Sequence, residues 1–280
     1  MSGARLAAMG MVAAVLAVAL PAPARADTAP ARVASLNLCT DQLAMLIAAP
    51  GQLVSISWLA RDPGYSAMAR AAMDYPINHG RAEELYVLKP DLVLADVWSS
   101  AATISMLTRL GIRVEQFTPG QSMEEIRANM LKMGAILGRE AEAAALVAAF
   151  DARLAALSAP PPRRPRAAQY SANSYTFGTQ SLAGQIIGTA GFDNIARETG
   201  LEAGGTLPLE VLVMAAPDML IAGEGAPGES RAEDVLRHPA LAGIDHAAVL
   251  SGADWSCATP FVLEAVSDLV SARLEWEARE

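Results

Sequence analysis

Two cysteines and four tryptophans carry most of the chemistry this chain has to offer. Cys39 and Cys257 stand near opposite ends. No C-x-x-C occurs, and His79, His238 and His246 are scattered, so the spacing matches no zinc motif and no metal site is expected. The histidines read as surface or capping residues. The thiols leave three arrangements open: a disulfide, two free thiols lining a pocket where a soft metal could touch them, or two unrelated buried cysteines. Aromatic residues make up only 5% of the chain, so their placement is informative. Trp58, Trp98 and Trp255 fall where strands are expected to hand over to helices, and Trp276 falls in the terminal helix. A bulky planar ligand is held by aromatic faces and apolar area with few polar contacts. The competing reading for each tryptophan is packing beneath its own loop. No G-x-S-x-G or H-E-x-x-H motif occurs, and Ser35 and Cys39 have no evident base. The residues therefore point to binding rather than catalysis, with no catalytic residue and no resident cofactor.

The order of elements is what would bring these residues together. An apolar strand is expected over 32–38 and a helix over 41–49, capped by Thr40 or Asp41 and stopped by Pro50 and Gly51. Strands follow at 53–57, 92–95 and 113–117, with helices at 82–88 and 100–110 and an irregular stretch over 61–80. This βαβ rhythm predicts a parallel sheet with helices on both faces. After a Pro-rich break at 160–162 the rhythm resumes. Strands are expected at 166–171, 219–222 and 247–250, and helices at 184–190, 208–215, 233–238 and 259–276. In open α/β sheets ligands lie beyond the carboxyl ends of the strands. That rule selects Asn37, Cys39, Trp58, Asp96 and Trp98 in the first half. In the second it selects Tyr170, Tyr175, the loop 223–228, and Asp254, Trp255 and Cys257.

Between the halves, apolar residues keep helical spacing from Met123 through Leu157, and Ser122 with Glu125 forms a capping box. Gly134 and Gly138 are candidate bends, but no strand signal interrupts the run. It predicts a helical connection spanning the molecule. A phrase also recurs. Glu83, Leu85, Pro90, Asp91 and Ala95 reappear with the same spacing as Glu210, Leu212, Pro217, Asp218 and Ala222. Each copy reads as a helix end, a Pro-Asp turn and a buried strand. The repeat predicts two similar α/β lobes, Rossmann-like with parallel sheets, joined by one long backbone helix with a ligand cleft between them. The expected boundaries are a leader over 1–26, a first lobe over 27–121, the linking helix over 122–158, and a second lobe over 159–280.

Arg5, the apolar run 6–20 and the A-x-A site at Ala24 and Ala26 predict a signal peptide cleaved near Ala26, hence export to the periplasm. The acidic balance, 30 Asp and Glu against 21 Lys and Arg, argues against nucleic acid as a partner.

The strand at 32–38, the two Pro-Asp phrases, the long central helical run, the AGFDNIA segment and the LRHPALAGI segment together resemble periplasmic substrate-binding proteins of ABC importers for iron-siderophores, haem and cobalamin (the helical-backbone class). The resemblance covers nearly all of the expected mature chain. It implies a monomer that captures a metal chelate in a shallow cleft and delivers it to the importer's membrane subunits. It implies that Glu83 and Glu210, one per lobe, dock onto those subunits. The plainer reading is that both are acids favoured at helix N-termini. Basic residues are scarce in the expected cleft loops, Arg61 being the nearest, so a corrinoid or hydroxamate chelate fits better than an anionic one. Haem, with Tyr175 or His79 as an axial ligand, and a zinc or manganese site remain as alternatives, as does, at lower weight, an exported enzyme.

Overall fold

The computed structural model describes residues 29–223, 231–250 and 252–279. The expected leader and most of the loop 223–228 lie outside the described residues.

The first lobe alternates strands β1 (Val33–Ser35), β2 (Leu53–Ser57), β3 (Ile77–Asn78), β4 (Leu92–Asp96) and β5 (Arg113–Phe117) with helices α1 (Leu38–Ile47), α2 (Ala82–Leu88) and α3 (Ala101–Arg109). All five strands are parallel, in the order β3-β2-β1-β4-β5. β4 is buried along its whole length, as a strand covered on both faces must be. Helix α1 starts earlier than its sequence suggests. Asn37, rather than Thr40 or Asp41, is the N-cap, and its Oδ1 accepts the Cys39 N–H at 2.8 Å. Thr40 lies within the first turn, with its hydroxyl turned back onto the Asn37 carbonyl.

Two helices follow, α4 (Met123–Leu137) and α5 (Glu140–Leu157). The stretch expected to form one linking helix is therefore broken. Gly138, at φ +67°, closes α4 in the left-handed region, and the Arg139 N–H returns to the Gly134 carbonyl at 2.7 Å, a Schellman-type ending. The helices fold back on each other. Gly134 lies against Ala143, and Arg127 pairs with Asp151 while stacking 5.5 Å from the Phe150 ring. The apolar period runs through the break because both helices bury a stripe of the same kind, so periodicity alone does not reveal it. α4 packs on α1. α5 carries the chain across to the second lobe.

That lobe contains strands β6 (Arg166–Tyr170), β7 (Tyr175–Thr176), β8 (Asp193–Asn194), β9 (Gly205–Thr206), β10 (Met219–Gly223) and β11 (Asp245–Leu250). Its helices are α6 (Leu182–Thr189), α7 (Leu209–Ala215), α8 (Gly252–Trp255) and α9 (Val262–Glu277). The parallel order β8-β6-β10-β11 repeats β2-β1-β4-β5, and β7 with β9 forms a small antiparallel ribbon.

The repeated phrase has a structural role that is the same in both lobes. Lys89 and Ala216 end α2 and α7 in the left-handed region, and a proline follows each. Asp91 Oδ2 then accepts the N–H groups of Ala31 and Arg32, both at 2.9 Å, at the start of β1. Asp218 Oδ2 accepts the Arg166 N–H at 2.8 Å at the start of β6. Arg32 and Arg166 in turn donate to the last carbonyls of the preceding helices, Leu88 at 2.7 Å and Ala216 at 3.1 Å. Each phrase thus ends a helix and fixes which strand lies beside the next.

One hydrophobic core runs through both lobes, joining Leu94, Phe117 and Met133 to Ala167, Ile221 and Leu263. The connecting helix α5 is tied to α9 of the second lobe by a forked pair from Arg153 to Glu264, at 2.5 and 2.6 Å. Two histidines serve locally: His79 pairs with Glu84 at the surface, and His238 caps the turn at Pro239–Leu241. Among the described residues no helix is long and apolar enough to cross a membrane.

Candidate functional site

The carboxyl ends of β1, β4 and β5 face the second lobe across a cavity of ≈370 Å³. From the first lobe it is lined by Asn37, Cys39, Thr40, Leu43, Asp96, the segment 117–121 and Asn129. From the second come Phe177, Ser181, Leu182, Ala183, Trp255, Ser256 and Ala258. A smaller recess of ≈140 Å³ adjoins it, sharing Phe177 and Trp255 and reaching Gln169 and Ser171.

Asn37 lines the cavity as a strut. Its Oδ1 is spent on α1, and its Nδ2 donates to Asp96 Oδ2 at 2.8 Å, tying the exit of β1 to that of β4. Asp96 also accepts from the Trp98 N–H at 3.0 Å and the Ser99 hydroxyl at 2.7 Å. Beside Asn37, Cys39 is bonded to Cys257, with Cα atoms 5.2 Å apart. The bond joins the lobes in the cavity wall, and neither thiol is free. One helical turn on, the buried Gln42 Oε1 accepts the Thr259 hydroxyl at 3.2 Å, a second tie between the lobes.

The aromatic residues divide. Trp255 lines both recesses, and its indole Nε1 is buried with no partner among the described residues. Trp98 is 80% exposed and Trp58 51%, and neither lines the cavity. Of the three tryptophans expected at strand ends, Trp255 is the one that lines the cavity among the described residues. Tyr175 packs edge-to-face on Phe177, with centroids 5.2 Å apart, and Phe177 is the one that reaches the cavity. Tyr170 is a correction. It is fully buried among Leu207, Leu212 and Leu220, so it belongs to the second lobe's core. Successive side chains of a strand point to opposite faces. Gln169 and Ser171 turn to the smaller recess, so Tyr170 between them turns away. Arg61 is not available to a ligand, because its guanidinium is held by the carbonyls of Ala72, Met73 and Tyr75.

Phe117 and Phe177 are lining residues that sequence reasoning missed. Phe117 ends β5, so the strand-end rule could have selected it. Phe177 follows a two-residue strand too short to register in the sequence pattern.

Behind the wall lies Asp41, fully buried on α1. Burial pushes its carboxyl up to about 7, against hydrogen bonds from Ser35 and Ser57 that pull it down. Both oxygens accept the Ser57 N–H at 3.2 Å, so Asp41 holds the end of β2 just before Trp58. Among the described residues no group of three or more His, Cys, Asp or Glu converges as a metal site would.

A family model described as "Periplasmic binding protein" matches residues 33–250. A cobalamin-binding protein of Halobacterium salinarum is 28% identical over 205 residues. The match covers 71% of this chain and 56% of that relative, so the chain spans little more than half its length. Two solved structures share the fold. One is a possible iron-binding (periplasmic solute-binding) protein of Staphylococcus epidermidis, with a TM-score of 0.73 and 18% identity, covering 88% of this chain and 99% of that one. The other is a periplasmic haem-binding protein of Vibrio cholerae, with a TM-score of 0.71 and 18% identity, covering 86% of this chain and 97% of that one.

Proposed function

Because the chain belongs to the periplasmic binding protein family, we propose that it captures a metal chelate of the corrinoid type and hands it to an ABC importer. The observation that carries the ligand class is the lining of the cleft. It is largely apolar and aromatic, and among the described residues it contains no lysine, arginine or histidine. A chelate rimmed with carboxylates would bury those charges without a cationic partner, which is costly. A corrinoid, rimmed mostly by amides, meets an apolar wall and scattered polar groups without that cost. A ferric hydroxamate shares these properties and is the second candidate. The name of the relative at 28% identity favours the corrinoid. Haem is disfavoured by its carboxylates and by Tyr175 and His79 lying outside the lining.

The ligand would rest on Trp255 and Phe177, above the Cys39–Cys257 bond and the Asn37–Asp96 pair. Trp98 and Trp58, exposed at the exits of β4 and β2, are suited to cover it from the first lobe's rim. Glu83 and Glu210 support the delivery step. Both are exposed at equivalent places in the repeat, and each is followed on its helix by exposed apolar residues, Tyr86 and Val87 in one lobe and Val213 and Met214 in the other. Two matching acidic and apolar knobs fit a partner built from two like subunits. Export would follow from the leader. Among the described residues no acid, base and nucleophile come together in the cleft, and binding is the activity proposed.

Thermal-shift and absorbance titration with cobalamin, cobinamide, haem and ferric hydroxamates tests the ligand class, since a ligand of the folded state raises the melting temperature. A corrinoid should give the largest shift. Stabilisation by haem alone would replace this reading with the haem one.

A further inference from the structure

Among the described residues the cavity has one ionisable side chain in its wall, Asp96, and three donors hold it in place. An ionised carboxylate offers about four acceptor positions. Asn37, Trp98 and Ser99 occupy three, which fixes the group at the floor of the cleft and leaves acceptor capacity beside the cavity. Among the described residues no cation pairs with it, and Lys132, which lies over the Phe117 ring at 4.3 Å, donates to the Gln116 carbonyl.

Three further polar side chains of the lining donate inward. Ser181 turns its hydroxyl hydrogen onto the Gly178 carbonyl at 2.7 Å, and Ser256 turns its own onto Gly252. Asn129 spends an amide hydrogen on the Thr118 carbonyl at 3.1 Å. These three donors are drawn into the protein, while the Trp255 Nε1–H, with no partner among the described residues, is left as a donor of the wall. A wall whose one charge among the described residues is the Asp96 carboxylate penalises a second carboxylate beside it, because like charges in a partly dry site repel strongly.

We infer that Asp96 sorts ligands by charge: the cleft takes a chelate whose rim carries amides or net positive charge and rejects its counterpart bearing a carboxylate at that place. The inference rests on the chelate-binding reading above and adds the residue that sets its specificity. It also sets the protein's place in a sequence of reactions. The chelate it collects is one whose carboxylates have already been amidated.

The test compares ligands that differ in charge. Cobinamide and cobyric acid share a corrin and differ at one side chain, an amide in the first and a carboxylate in the second. Dissociation constants for both are measured by tryptophan quenching on the wild-type protein, on Asp96→Asn, and on the double variant Asn37→Asp with Asp96→Asn. The double variant moves the charge to the other member of the hydrogen-bonded pair and keeps the side-chain hydrogen bond. The wild type should favour cobinamide by roughly tenfold or more. Asp96→Asn should bring the two within about threefold, and the double variant should restore the preference. A merely structural Asp96 would weaken both ligands together and leave their ratio unchanged, which would overturn the inference. So would a wild-type preference for cobyric acid. If neither corrinoid binds, the corrinoid reading fails by itself, and the charge rule is read from a neutral ferric hydroxamate against an anionic ferric catecholate in the same three proteins. Binding of neither pair overturns both.

Discussion

At the residue scale, the cleft and the core separate two aromatic residues that look alike in the sequence. Trp255 faces the cavity, and truncating a buried aromatic contact of this kind should weaken ligand binding by roughly 1–3 kcal/mol. Tyr170 should behave oppositely. Its hydroxyl is buried without a partner among the described residues, so Tyr170→Phe should leave affinity unchanged and hold or raise the melting temperature. Loss of binding in the phenylalanine variant would return Tyr170 to the site. Asp41 makes a prediction about pH. Its folded-state pKa, about 7, lies above its ordinary 3.8, so the folded protein holds this proton more tightly than the unfolded chain does. The resulting stability is fully present below pH 3.8 and is lost as pH rises toward 7. The total is on the order of 4 kcal/mol, the linkage equivalent of such a shift. Urea melts of Asp41→Asn and the wild type between pH 4 and pH 8 should diverge, with the wild type losing ground as pH rises. Parallel curves would mean that Asp41 is charged and well paired where it lies.

At the element scale, the hairpin of α4 and α5 places the crossing between lobes. Gly134 is the contact that lets the two helices close. A Cβ there would lie 2.3 Å from the Ala143 Cβ and 3.0 Å from the Arg139 carbonyl oxygen. Gly134→Ala should therefore cost about 1–3 kcal/mol by overpacking, although alanine is the better helix former. A stabilised alanine variant, measured by chemical denaturation, would show that the hairpin is not closed at this point. The ends of α2 and α7 make the complementary case. Their Pro-Asp turns recur because each must stop a helix and present an aspartate to the start of the neighbouring strand, so the repeated letters record a repeated hydrogen-bonding task.

At the scale of the whole molecule, the question is how two lobes hold one cleft. The Cys39–Cys257 bond closes a loop of 218 residues. The chain-entropy account gives such a loop about 5 kcal/mol, an upper value because native strain and denatured-state structure reduce it. Replacing both cysteines with serine should lower stability markedly. It should also weaken ligand binding, because the bond forms part of the cavity wall. Equal melting temperature and equal affinity would assign the lobe spacing to the shared core and the Gln42–Thr259 hydrogen bond. Delivery is tested at the same scale. Charge reversal at both Glu83 and Glu210 should abolish uptake in cells while leaving the dissociation constant of the isolated protein intact, and undiminished uptake would remove the docking role.

The sequence by itself determined the class of fold and the pairing of the lobes. The βαβ rhythm follows from short-range periodicity, and the two phrases around Asp91 and Asp218 carry their task in adjacent residues. It also narrowed the candidates to strand ends, of which Asn37, Cys39, Asp96 and Trp255 line the cavity. What depends on side-chain direction was decided only in three dimensions. Tyr170 and Gln169 are neighbours in sequence and opposites in space, because a strand turns successive side chains to opposite faces. The break at Gly138 is invisible to periodicity, since an antiparallel pair of helices buries the same apolar stripe as one long helix. The Cys39–Cys257 bond depends on the meeting of two chain segments that no local pattern links. The charge of the cleft was likewise a tertiary outcome, because Arg61 is close enough in sequence to suggest a ligand partner and is instead consumed by three carbonyls of its own loop.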